Sequence, residues 1–223
     1  VRYLGAKAGS GTYQAIINLM PPHDSYIEPF FGTGAIMRLK IPAANNVAID
    51  KDITAGLPTI ALLRDQWPDA LFEIHKTDAM EYLKAGRIIG FNRQTLLYCD
   101  PPYMHATRTS KCRYKHELSD EDHWELLRIL RSVSCNVMLS GYRNPLYNKS
   151  LANWFSLDFQ AMTRGGVRTE TVWCNFDPAA IHYHTFAGKN FTDRQRRWAS
   201  RYAKLPPGER QAVLAAILAS DPE

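Results

Sequence analysis

The chain predicts an α/β fold on a mostly parallel sheet, and three observations predict it. Short runs rich in β-branched and aromatic residues alternate with helical patterns from residue 25 to about 155, the order that parallel strands joined by crossover helices require. A glycine-containing turn, Gly32-Thr33-Gly34, leaves the first of these runs and enters a helical pattern. Beyond that region the alternation stops, and two strand-like runs flank Arg164-Gly165-Gly166-Val167-Arg168, the pattern of an antiparallel hairpin.

In chain order, the predicted strands are Ser25–Phe30, Asn46–Asp50, Phe72–Thr77, Thr95–Cys99 and Cys135–Ser140. Between them, Ala35–Lys40, Ile53–Gln66, Asp78–Ala85 and Ser119–Ser132 read as helices. The last opens on Ser119 and acidic residues, which suit a helix N-terminus, and its spacing puts Trp124, Leu127 and Leu130 on one face. The hairpin strands are Ser156–Thr163 and Glu170–Phe176. Two tail helices follow, roughly Asp193–Lys204 and Gly208–Ala219, divided by Leu205-Pro206-Pro207 because proline lacks the amide that would continue a helix.

A chain of 223 residues suffices for one sizeable α/β core with a small helical appendage. Its net charge of +5 favours a polyanionic partner, since clustered Lys and Arg gain affinity by releasing condensed counterions. Cys99, Cys112, Cys135 and Cys174 form no CxxC pair, so neither a zinc site nor a disulfide framework is expected, and a reducing compartment fits. With no apolar run of about 18 residues and no signal-peptide layout at Val1–Gly5, the expectation is a soluble, cytoplasmic protein without a membrane partner.

Three motifs carry chemistry. Glu28-Pro29-Phe30-Phe31-Gly32-Thr33-Gly34 joins strand to helix through glycines that permit close backbone approach to a ligand. Met37 stands where a dinucleotide fold wants a third small residue, which disfavours NAD. Asp50 ends the next strand, where a carboxylate can accept hydrogen bonds from ribose hydroxyls; helix capping is its alternative role, and Asp52 can do the same work. Asp78 ends the third strand and suits either a cofactor adenine or a cap. The most specific motif is Leu97-Tyr98-Cys99-Asp100-Pro101-Pro102-Tyr103, an apolar strand running into an acid, two prolines and a ring. Paired prolines fix the backbone and leave carbonyls without neighbouring amide donors, so the turn presents a carboxylate and a free carbonyl side by side to an amine.

With Tyr3-Leu4-Gly5-Ala6-Lys7, the Glu28–Gly34 loop, Asp50 and Asp100–Tyr103 in this order, residues 1 to about 176 resemble the Dam-type DNA adenine methyltransferases, in a compact, phage- or prophage-like form. The resemblance implies a Rossmann-like methyltransferase fold with S-adenosyl-L-methionine (AdoMet) as cofactor. It implies AdoMet binding by Tyr3, Lys7, Glu28, Pro29, Phe30, Gly32, Gly34, Asp50, Asp78 and Asp100, with the target adenine at Asp100, Pro101, Pro102 and Tyr103. It also implies a cytoplasmic setting in a bacterium, encoded there or by a phage. The catalytic domain is then residues 1–181, followed by a basic helical extension over 182–223.

The chain departs from the family in two ways. Tyr3 stands where Trp is frequent, which keeps a flat aromatic. Only residues 79–99 lie between Asp78 and Asp100, where Dam-type enzymes usually insert a target-recognition domain. A short or relaxed target, about two to four bases, is therefore expected. For DNA the candidates are Arg108, Lys111, Arg113, Tyr114 and Lys115 in the basic segment after the motif, and Tyr142 after the fifth strand. Arg164, Arg168, Arg194, Arg196, Arg197 and Arg201 are weaker candidates, and Trp173 and Asn175 can lie near the pocket. Expected partners are duplex or single-stranded DNA and, weakly, a second copy of the chain. RNA adenine methylation and a silent nucleic-acid-binding relative are the alternatives.

Overall fold

The computed structural model describes residues 7, 11–85, 92–104, 117–163, 166–178 and 199–220. Seven strands form one sheet: β1 (Ser25–Pro29), β2 (Asn45–Asp50), β3 (Leu71–Lys76), β4 (Thr95–Cys99), β5 (Asn136–Gly141), β6 (Phe155–Thr163) and β7 (Gly166–Cys174). Their order is β3-β2-β1-β4-β5-β7-β6. The first five pair in parallel, whereas β7 runs antiparallel to both β5 and β6. The expected mostly parallel sheet with a C-terminal antiparallel hairpin is the one observed, and the predicted strand bounds agree with it to within two residues, β7 excepted. That strand begins at Gly166, so Thr163 and Gly166 already pair and the predicted connector shortens.

Alternation along the strands builds a core on each face. Ile27, Ile49, Leu97, Cys99, Val137, Leu139 and Trp173 pack on one side with α4 (Ala79–Lys84), α5 (Asp120–Ser132) and α6 (Pro145–Ser150). Tyr26, Ala48, Leu96, Tyr98, Met138, Val172 and Cys174 pack on the other with α1 (Thr12–Ile17), α2 (Ala35–Leu39) and α3 (Leu57–Gln66). Covering a parallel sheet on both faces explains why β4 and β5 are buried along their whole length.

Local chemistry sets the helix ends. Ser119 accepts the Asp122 N–H at 3.1 Å while Asp122 accepts the Ser119 N–H at 3.0 Å, a reciprocal cap that starts α5 where expected. The predicted apolar face of α5 is rotated: His123, Leu126, Leu127 and Leu130 are buried, and Trp124 is 57% exposed. The predicted helix Ile53–Gln66 is broken into a 3-10 turn, Ile53–Ala55, and α3, with Gly56 between them. A Cβ on Gly56 would overlap the Phe31 ring, so the break leaves room for that side chain. In the tail, Tyr202 donates to the Arg210 carbonyl at 3.0 Å and Arg210 donates to the Leu205 carbonyl at 2.8 Å. These bonds tie residues 199–203, which are helical, to α7 (Pro207–Ser220) across the proline break. Among the described residues no helix is long and apolar enough to cross a membrane.

Candidate active site

The strand order reverses between β1 and β4, and open α/β sheets bind ligands in the crevice at the carboxyl ends of such a strand pair. Here β1 delivers the loop Phe30–Gly34 and β4 delivers Asp100–Tyr103, so the two most informative motifs meet at that crevice.

The loop is shaped by left-handed backbone at three alternate positions, Phe30 (φ 61°), Gly32 (φ 55°) and Gly34 (φ 66°). Phe30 adopts it despite its Cβ, at a cost of about 1 to 2 kcal/mol. A Cβ on Gly34 would overlap the ring of buried Phe31. The Phe31 N–H donates to the Ile49 carbonyl at 3.0 Å and the Gly32 N–H to Asp50 Oδ2 at 2.7 Å, so β2 holds the loop in place. The other Asp50 oxygen accepts the Asp52 N–H at 2.8 Å. Pro29 ends β1 in the buried sheet. Glu28 points into the sheet's α1–α3 face, where it accepts Tyr26 Oη at 2.9 Å and the Met37 N–H at 3.2 Å. Burial pushes its carboxyl up to about 8 against those two bonds. Asp78 caps α4 by accepting the Met80 N–H at 2.8 Å, and its other oxygen faces Lys51 Nζ at 3.3 Å.

Beyond β4, Asp100 Oδ1 lies 2.8 Å from Lys7 Nζ, whose side chain is 6% exposed. The same ammonium donates to Tyr103 Oη at 2.5 Å and lies 3.6 Å from Glu170 Oε2. Tyr103 in turn donates to Glu170 at 3.1 Å and faces Asp100 Oδ1 at 3.5 Å. Burial alone would depress the Lys7 ammonium, but the Asp100 and Glu170 carboxylates outweigh it and hold it charged. Desolvation raises the Asp100 carboxyl to about 6, with Lys7 pulling the other way and Glu170 adding to the rise. The Tyr103 ring meets Tyr142 edge-on, centroids 4.5 Å apart at 62°. Pro101 is buried and Pro102 half-buried.

Asp100, Pro101, Pro102, Tyr103, Lys7 and Tyr142 are thus gathered around one buried polar cluster, with Gly32, Gly34 and Asp50 forming the neighbouring loop wall. Glu28 and Asp78 spend their carboxylates within the fold. Glu170 is the member that sequence reasoning missed: in Arg168-Thr169-Glu170-Thr171 it has the look of a polar hairpin residue, yet it is 5% exposed. Trp173 is core, and Asn175 clamps β5 by accepting the Val137 N–H and donating to the Cys135 carbonyl. Arg168 is half-buried and bonds Tyr142, while Arg201 is exposed. Tyr3, Arg108, Lys111, Arg113, Tyr114, Lys115, Arg164, Arg194, Arg196 and Arg197 lie outside the described residues.

No protein-family model matches the chain, and no curated protein does. Among solved structures, it is similar to SMU.776, described as "a putative methyltransferase complexed with SAH", at a TM-score of 0.51 and 15% identity, over 73% of this chain and 47% of that one. The chain therefore spans about half that protein's length. It is also similar to a SAM-dependent methyltransferase from Agrobacterium tumefaciens, at 0.46 and 14%, over 74% and 59% of the two chains. An rRNA methylase from Streptococcus thermophilus gives 0.45 and 10%, over 73% and 93%. The likeness is one of fold: the chain has the Rossmann-like sheet found in methyltransferases.

Proposed function

We propose that this chain transfers the methyl group of AdoMet to the N6 exocyclic amine of adenine in DNA. The observation that carries the proposal is the Asp100-Pro101-Pro102-Tyr103 turn, at the end of β4 in the switch-point crevice and beside the Gly32–Gly34 loop.

The residues present suit AdoMet. The Asp100 carboxylate, 17% exposed at the end of β4, gives the crevice an acidic group that favours a cationic sulfonium. Gly32, Gly34 and Asp50 would hold the nucleoside part, with Tyr3 adding an aromatic surface; the solved relative complexed with SAH supports a cofactor of this class. Bound AdoMet supplies an electrophilic methyl group on sulfur.

The chain supplies alignment. An adenine amine is a poor nucleophile because its lone pair is delocalised into the ring. The Asp100 carboxylate and the Pro101 carbonyl accept its two N–H bonds, favouring a tetrahedral nitrogen with its lone pair aimed at the methyl group. Positive charge then develops beside Asp100, which stabilises it. The methylated nitrogen is strongly acidic and loses its proton after transfer. The Asp100 side chain is only 17% exposed, out of reach of a base stacked in a duplex, so the adenine must flip out or come from a single strand. Tyr103 and Tyr142 wall the base, and the net positive charge supports a phosphate backbone as partner. With no recognition domain between Asp78 and Asp100, the target is short or relaxed.

The test is a parallel assay with methyl-labelled AdoMet on duplex DNA, single-stranded DNA and RNA. Label in DNA supports the proposal. Label in RNA alone reassigns the substrate, and failure to bind AdoMet by calorimetry makes the chain a silent relative.

A further inference from the structure

When the target amine takes Asp100 Oδ1, the present partner of that oxygen must go elsewhere. Asp100 Oδ1 is occupied by the Lys7 ammonium at 2.8 Å, and that ammonium is buried. Leaving a buried ammonium without a carboxylate is far more costly than breaking an exposed pair, because neither water nor a counter-charge replaces what is lost. The cluster contains the replacement. Glu170 Oε2 lies 3.6 Å from Lys7 Nζ, and Tyr103 Oη sits between the carboxylates, 3.1 Å from Glu170 and 3.5 Å from Asp100. Glu170 comes from β7, an antiparallel strand two places from β4, so it is anchored independently of the turn that handles substrate.

We propose that Glu170 is a positioning residue for methyl transfer: it receives the Lys7 ammonium when the target amine takes the Asp100 carboxylate. The handover moves Nζ by about an ångström, from 2.8 and 3.6 Å towards the reverse, and breaks no covalent bond. Tyr103 Oη stays a partner of Nζ throughout, so the ammonium is never without an acceptor. The idea rests on the reading of Asp100 as the amine acceptor. Its first test does not require turnover.

Asp100→Asn imitates the engaged state by withdrawing the Asp100 charge from Lys7 in an isosteric side chain. In the full chain, the Lys7 titration is followed by carbon NMR of labelled lysine, assigned with Lys7→Arg. The titratable groups facing Lys7 are Asp100, Tyr103 and Tyr98 from β4 and its turn, Glu170 from β7, and Tyr142 after β5. In Asp100→Asn, Glu170 should keep Lys7 protonated, with a proton affinity at least about tenfold above that of Asp100→Asn/Glu170→Gln. Coincident titrations in the single and double variants would overturn the proposal.

The second test reads catalysis. Glu170→Gln should bind AdoMet within about twofold of wild type and leave KM for DNA unchanged, but lower kcat on the order of tenfold to a hundredfold. Glu170→Asp keeps the charge and should recover most of that loss. Wild-type kcat in Glu170→Gln, or equal losses in both variants, would overturn it. A wild-type chain that methylates nothing sinks the functional proposal instead, and the Lys7 titration still decides the handover.

Discussion

Gly32 donates its backbone N–H to Asp50 Oδ2 at 2.7 Å, which makes the loop after β1 and the acid at the end of β2 one structural unit. Asp50→Ala leaves the Gly32 and Asp52 amides without that acceptor, at about 1 to 3 kcal/mol of stability. Affinity for AdoMet should fall with it, by about tenfold or more if a ribose hydrogen bond is also lost. Calorimetric titration checks this, and unchanged affinity would remove Asp50 from the cofactor site.

Gly34 cannot accept a side chain. Its φ of 66° strains any Cβ, and the Phe31 ring already fills the space a Cβ would take, so Gly34→Ala must displace a buried phenyl group. The expected cost is about 2 kcal/mol or more in denaturant unfolding, with AdoMet binding weakened in parallel. A loss below about half a kilocalorie would show that the loop rearranges freely.

Methyl transfer should depend on ionised Asp100. Its carboxyl is raised to about 6 by burial, so kcat/KM should drop about tenfold per pH unit below that value and level off above it. A profile flat to pH 4 would mean that the carboxylate charge is not used.

Glu28 gives a pH effect on stability of known sign. Its folded value of about 8 lies above the ordinary 4.5, so the folded protein holds the proton more tightly. The stabilisation is complete below about 4.5 and is lost as pH rises through 8, with a slope of at most about 1.4 kcal/mol per unit. Glu28→Gln keeps an acceptor for Tyr26 and removes this dependence. Nearby His23 and Lys40, depressed by burial to about 4 and about 7, also titrate, and Lys40 interacts with Glu28, so the difference between the two stability curves reports Glu28 together with its coupling to Lys40. Parallel curves from pH 5 to 8 would contradict it.

Tyr103→Ala should weaken DNA binding by about 1 to 3 kcal/mol and leave AdoMet affinity largely intact. AdoMet affinity lost with DNA affinity kept would place Tyr103 in the cofactor site instead.

The parallel sheet was legible in the sequence because β4 and β5 are buried along their whole length and are therefore mostly apolar, and α5 because Ser119 and Asp122 cap it. Two of the six-residue helices, Thr12–Ile17 and Pro145–Ser150, were not, because so short a segment carries little periodic signal, whereas Ala79–Lys84 was, with Asp78 as its cap. Asn144 before Pro145 was a usable cue for the second: its side chain accepts the Tyr147 N–H at 2.9 Å. The face of α5 was misjudged because Trp124, an apolar residue by type, lies one position from His123, which the fold buries against Tyr147. At the site, Asp100 and the glycine loop could be read from local motifs. Glu170 could not, because its proximity to Lys7 spans 163 positions and exists only once β7 enters the sheet.

Whether Asp100 directs methylation of adenine in DNA is tested most directly by nucleoside mass spectrometry of DNA incubated with AdoMet and the purified chain. N6-methyladenine should form with the wild-type chain and not with Asp100→Ala. Methylation of another base, or N6-methyladenine formed equally by both proteins, would contradict the role given to Asp100.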